Sequence, residues 1–170
     1  MKSALYYTII GVLLMNSYTI KKEDVRTLFH QGMSSEEKLE AIVSLNSDSD
    51  DFVTMGYKGV SEAMLAKHVF FPTAKLNHFK RGKLKIEKAI SMDSGNIELR
   101  YLRLLVQLNV PPILGYHKNI SEDIQFFMEH IDDREITIQW KHTFINNLIA
   151  GKYLSDEQRM DLEAIDRHLK

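Results

Sequence analysis

The chain has 170 residues, 44% hydrophobic and 26% charged, with a formal net charge of −1, the composition of one soluble globular domain long enough to bury a substantial core. Near-neutrality excludes a global pull toward nucleic acid or acidic membranes, so any such binding has to be local. The absence of cysteine removes disulfides, thiolate catalysis and Cys-ligated zinc together.

Residues 1–20 begin Met-Lys, run through an apolar stretch from Ala4 to Met15, and turn more polar at Asn16-Ser17-Tyr18-Thr19. This is the layout of a secretory signal peptide, although it holds one basic residue and no Ala-x-Ala site. A buried N-terminal helix and an anchor are the alternatives. The stretch is shorter than the roughly 20 apolar residues of a membrane span, so no transmembrane span is expected. Cleavage would place the product in the periplasm or outside the cell; otherwise it is cytoplasmic. Residues 21–170 then form a single all-helical domain.

From Glu23 onward the periodicity is helical. Val25, Leu28 and Phe29 mark a first helix stopped near Gly32. Ser34 and Glu37 stand at the spacing of a capping box, and Leu39, Ile42 and Val43 give the next helix its core face. Asn46 to Asp51 is a polar turn whose oxygen side chains resemble the start of a calcium loop. Asp51 occupies the required glycine position and Tyr57 the required glutamate, so a linker and helix N-cap is expected instead. A third helix runs from about Phe52 to Phe70, with Val53, Tyr57, Val60, Met64 and His68 on one side, and Pro72 ends it. His68 is expected to be a hydrogen-bonded core histidine.

Residues 76–108 read as two helices broken at Ser94-Gly95, and the rest of the chain is organised around them. Phe79, Gly82, Ile86, Ala89 and Ile90 recur at three- and four-residue steps and make one core face. A glycine there costs about 1 kcal/mol relative to alanine, which is explained if a neighbouring backbone comes close; a merely tolerated glycine is the alternative. Ile97, Tyr101, Leu104, Leu105 and Leu108, extended by Leu99, Leu102 and Val106, make the second helix apolar around most of its circumference and therefore central. Its polar remainder is Arg100, Arg103 and Gln107. At least one of these arginines is expected to pair with a carboxylate, because buried charge is costly when unpaired.

Val110 to His117, with Pro111-Pro112 and Gly115, predicts an irregular crossover. Ile120, Ile124, Phe127, Met128 and Ile131 mark a helix introduced by Asn119, with Glu122 at the capping-box distance. The following helix is expected from about Asp133 to Ala150, with Gly151 as a left-handed stop. Ser155 and Gln158 cap a last helix docked by Leu162, Ile165 and Leu169. The sum is an all-α array of about seven or eight antiparallel helices.

The run GKLKIEKAISMDSGN, residues 82–96, resembles the second helix and exit turn of a tetratricopeptide repeat. Gly82 and Ala89 stand at its small-residue positions, Ile86 at its aromatic position, and Asp93-Ser94-Gly95-Asn96 where the family often has Asp-Pro-x-Asn. The likeness covers half a repeat; upstream, Pro72 falls where the first helix would run and the Trp-Leu-Gly-Tyr pattern is absent. The whole chain is also similar to small exported bacterial proteins of helical-repeat character. These resemblances imply tetratricopeptide-like helical hairpins and supply no activity. The family binds peptides with the first helix of each pair, where this chain has Tyr101, Leu105 and Leu108 in a buried pattern, which disfavours that mode.

No two of the seven histidines lie at i, i+4 spacing, and nucleophile-elbow and phosphate-loop motifs are missing, so no catalytic, cofactor or metal residue is assigned. The strongest charge feature is the basic run with Lys75, Lys80, Arg81, Lys83, Lys85 and Lys88. A solvated helix face accounts for it most simply. As a partner surface, Lys80, Arg81, Lys83, Lys85 and Lys88 suit an acidic protein better than nucleic acid, because no stacking aromatic shares the face. The function expected is a non-catalytic interaction or scaffold module. The alternative is a helical enzyme or small-ligand binder with a site assembled from scattered residues, for which Arg100, Arg103 and His117 in one polar pocket would be the sign.

Overall fold

A computed structural model describes residues 21–45, 51–132 and 135–169. The signal-peptide assignment for residues 1–20 and most of the turn at 46–51 lie outside these. The described residues are all-α: eight α-helices, two short 3₁₀ turns and no strand. The helices are α1 (Lys22–Gly32), α2 (Glu36–Ser44), α3 (Phe52–Met64), α4 (Pro72–Met92), α5 (Ile97–Gln107), α6 (Ile120–His130), α7 (Ile138–Ile149) and α8 (Asp156–His168). Among the described residues, no helix is long and apolar enough to cross a membrane.

α5 is the central element. Every residue of it except Arg100 is buried, as its nearly all-round apolar sequence predicts. It packs on α3, α4, α6 and α7. Its start is fixed by Asn96, whose side-chain oxygen accepts from the Glu98 and Leu99 amides at 3.1 and 3.2 Å, satisfying two donors that have no partner within the helix.

The tightest contact is between α3 and α4. A Cβ built on Gly82 would stand 2.5 Å from both the Gly59 carbonyl oxygen and the Ala63 amide nitrogen; one on Gly59 would stand 2.9 Å from the Ile86 nitrogen. The close approach expected at Gly82 is therefore real, and Gly59 shares it. On another side of α3, Gly56 admits Leu99 of α5, whose Cδ2 lies 2.6 Å from where a Cβ would be. Gly56-Tyr57-Lys58-Gly59 is thus a helical segment notched for its neighbours. The remaining core faces agree with the periodicity: Val25, Phe29, Leu39, Ile42, Phe144 and Leu162 are all fully buried.

Several local expectations are corrected. α3 stops at Met64 and a 3₁₀ turn, Leu65–Lys67, follows; His68 lies in the turn beyond, exposed rather than in the core. Pro72 opens α4 instead of closing α3. Phe71 before it is held extended, at φ −75° and ψ 133°, as a residue preceding proline must be, while proline suits the first helical position, whose amide has no helical partner. The N-cap of α2 is Ser35, which accepts from the Lys38 amide, so the Ser34–Glu37 box does not form. Asn119 makes no backbone cap; its side chain donates to Glu122 at 3.2 Å. Asp51 does cap α3, accepting from the Thr54 amide at 2.9 Å, and Ser155 with Gln158 forms the expected capping box.

α7 starts at Ile138, five residues later than periodicity implies, because Ile136 is buried in the preceding turn and Thr137 takes the N-cap. The left-handed glycine is Gly115, at φ 64°, which closes the 3₁₀ turn Pro112–Leu114. Gly151 has no positive φ. It is small because Leu108 presses on it, 2.8 Å from a Cβ position, and Lys152 donates its amide to the Leu108 carbonyl at 2.9 Å.

Candidate functional site

α4 buries Phe79, Gly82, Ile86, Ala89 and Ile90, which turns the opposite side of the cylinder to solvent. At 100° per residue that outer side carries Lys80, Leu84 and Lys88, with Arg81 beside them. Leu84 is 71% exposed and has Lys80 four residues before it, Arg81 three before and Lys88 four after. Phe70 and Phe71, exposed by 86% and 67%, stand at the helix start. The one carboxylate of α4, Glu87, lies about 60° round the helix from Leu84 and has its charge engaged beside this surface, accepting from Arg103 at 3.1 Å and from the Tyr116 hydroxyl at 2.6 Å.

The five basic residues singled out in the sequence divide into three groups. Arg81 and Lys85 turn toward α3, where Glu62 is buried. Arg81 Nε lies 2.8 Å and Nη2 2.7 Å from Oε1, Lys85 Nζ 3.4 Å from Oε2, and His78 Nδ1 3.1 Å from Oε1. Burial opposes ionisation of Glu62, but the Arg81 hydrogen bond and the charges of Lys85 and Arg81 outweigh it and hold the carboxyl below its ordinary range. Lys83 lies against the Tyr116 ring, its nitrogen 4.8 Å from the centroid. Lys80 and Lys88 are exposed and make no ion pair among the described residues.

Arg100 and Arg103 do converge, on Asp123 of α6. Arg103 donates Nε to Oδ2 and Nη2 to Oδ1, both at 2.6 Å, and Arg100 Nη1 reaches Oδ1 at 2.9 Å. Asp123 is fully buried, so the pairing expected of these arginines is met by a carboxylate with no access to water. His117 is not part of this cluster: its Nε2 lies 2.9 Å from the Val110 carbonyl and its ring packs on Tyr153. The three residues therefore do not form one pocket. The largely apolar recess of 170 Å³ between Met33, Met64, Val106 and Asn147 contains none of them.

A second buried cluster has no counterpart in the sequence reading. Arg26 of α1, fully buried, donates Nε and Nη2 to the two oxygens of Glu98 at 2.7 and 2.6 Å, and the Tyr57 hydroxyl donates to the same carboxylate at 2.6 Å. Burial and the adjoining Glu98 charge push the Tyr57 phenol well above its usual range, which makes it a fixed donor. The available signal was an arginine beside the core residues Val25 and Phe29, and a glutamate in the first turn of the most apolar helix. These clusters join helices; all their charges are spent on one another. Among the described residues, no group of three His, Asp or Glu side chains could hold a metal ion.

His30 sits among Phe29, Tyr57, Tyr101, Trp140 and Phe144, with ring centroids 5.1–6.2 Å away. Burial first, and the Arg26 charge second, lower its pKa to about 4. Since the unfolded chain protonates near 6.5 and the folded one near 4, the stability from neutral His30 is complete above pH 6.5 and is lost as pH falls toward 4. The loss amounts to about 3 kcal/mol. Thermal unfolding at pH 7 and pH 4.5 should therefore diverge in wild type, and the divergence should shrink in His30→Phe; an equal acid loss in both would assign it to other groups.

The described residues thus define an all-α helical array with one basic, partly apolar outer face. No protein-family model, curated protein or solved structure matches the chain.

Proposed function

We propose that this protein is a non-catalytic interaction module, a helical-repeat-like array that docks an acidic, amphipathic protein segment on the outer face of α4. The observation that carries this reading is Leu84, 71% exposed between Lys80 and Lys88, both unpaired among the described residues. An apolar centre with a charged rim is the anatomy of a protein interface, and a rim of one sign selects partners of the other. The buried polar clusters, centred on Glu62, Glu98 and Asp123, are internally paired, Arg81 included, whereas Lys80 and Lys88 remain exposed on this face with charge to offer. The acidic partner expected from the sequence is retained, narrowed to Lys80 and Lys88 around Leu84.

The test is fluorescence anisotropy with a labelled amphipathic peptide of alternating glutamate and leucine turns. Binding should weaken about tenfold or more between low and physiological salt, and should fall similarly in K80E/K88E and in Leu84→Asp at constant salt. Equal binding by wild type and K80E/K88E would remove α4 as the surface. Equal loss of affinity for duplex RNA, with Leu84→Asp as harmless as Leu84→Ala, would reduce the face to a nonspecific polycation.

A further inference from the structure

α8 carries an outward face of the opposite sign. Its buried residue is Leu162. On the far side of the cylinder Met160 is 63% exposed, with Asp156 four residues before it, Glu157 three before, Glu163 three after and Asp161 adjacent; Arg167 lies on the same side in the last turn, so the acidic surface is that of the first two turns. Asp156, Glu157 and Asp161 are exposed, and none of these four carboxylates makes an ion pair among the described residues. The pattern is that of Leu84 with Lys80, charge reversed: an exposed unbranched or γ-branched apolar side chain with a charge at i−4 that is unpaired among the described residues. Asp166, on the inner side, is already used by His142 at 2.7 Å.

The two faces cannot meet within one molecule. α4 packs on α3 and α5, α8 on α7 and α6, and α4 and α8 have no contact. Complementary surfaces on separate parts of one chain meet between copies, in a head-to-tail contact that uses a different patch from each partner. We propose that the acidic segment docked by α4 is the α8 face of a second copy of this chain, Met160 seated beside Leu84 with Lys80 and Lys88 against Asp156, Glu157 and Asp161. This rests on the reading of α4 as an acidic-partner surface and names the partner. Exposed ion pairs are individually weak and screened by salt, so the contact is a low-affinity one that populates at high local concentration. Its heterologous geometry leaves a free α4 at one end of each assembly and a free α8 at the other, so growth continues until a ring closes or concentration limits it.

Sedimentation equilibrium of the full chain at about 0.5 mM, where a Kd of roughly 0.1–1 mM is populated, should give a weight-average mass well above the monomer in about 25 mM salt and the monomer mass in about 0.5 M salt. K80E/K88E, whose α4 and α8 faces are both acidic, should be monomeric. D156K/E157K, with both faces basic, should be monomeric as well. Mixed one to one, the two variants should associate again, because each then offers the other a complementary face at both contacts. A misfolded variant could not give that recovery. A monomeric wild type at low salt overturns the proposal, as does association that persists in either variant or a mixture that stays monomeric. If the acidic peptide binds α4 while wild type remains monomeric, self-association fails and the acidic-partner surface stands; if neither occurs, both fail.

Discussion

Gly82→Ala should destabilise the fold, even though alanine is the better helix former by about 1 kcal/mol. The added methyl would lie 2.5 Å from the Gly59 carbonyl oxygen and the Ala63 amide nitrogen, both backbone atoms of α3 that cannot swing aside as a side-chain end could. α3 and α4 must separate along their contact, an overpacking cost of about 1–3 kcal/mol after the propensity gain is offset. Gly82→Leu should cost more. Gly95→Ala is the matched control: nothing lies within 4 Å of its Cβ position and its φ is not positive, so it should be neutral or stabilising by about 0.4–1 kcal/mol. Urea unfolding of the three variants decides the matter; a Gly82→Ala midpoint at or above wild type would contradict the close backbone contact.

Removing the carboxylate of Asp123 should have the larger effect. Arg103 is 5% exposed and directs two of its bonds at Asp123, and Arg100 directs a third. Asp123→Ala strands a buried guanidinium and should cost about 3–5 kcal/mol. Glu87 remains near Arg103 Nη1 and lessens the loss without replacing the bidentate pair. Arg103→Met alone leaves Asp123 with Arg100 and should cost less. The double change Asp123→Leu with Arg103→Met should recover much of the stability, since an apolar pair avoids the desolvation both charges pay. Additive losses in that double variant would show that the cluster contributes through shape rather than charge.

The parts of this fold legible in the sequence are those governed by spacing along a single helix. The core stripes of α4 and α5 follow from periodicity, and Gly82 stood out because a glycine on an apolar face has a cost that only a close neighbour explains. What was hidden depends on separation in space. Nothing local ties Arg26 to Glu98, 72 residues away, or selects Asp123 from the many carboxylates as the partner of Arg103. The stripe Val53, Tyr57, Val60, Met64 continues in the sequence to His68, one turn beyond the true end of α3, so periodicity alone puts an exposed histidine in the core. Ser34 and Ser35 offer the same hydroxyl one residue apart, and only the path of the chain into α2 chooses between them. The basic run is visible as charge, but Glu62 and Tyr116, which draw three of its five members inward or aside, lie on other segments. The outward pair Lys80 and Lys88 with Leu84 between them emerges only once those are subtracted.

α8 is attached by little apolar surface. Leu162 is its buried residue, supported by Ile165 and Leu169 at the margin, and polar links complete the attachment, from Arg159 to the carbonyl of Ile149 and from Asp166 to His142. In amide hydrogen exchange such a helix is expected to open by itself, below the free energy of global unfolding, whereas buried α5 should exchange only when the whole molecule unfolds. A surface carried on α8 is thus an interface whose own backbone protection reports occupancy: raising protein concentration at low salt should slow exchange across Asp156–His168 and leave α5 unchanged.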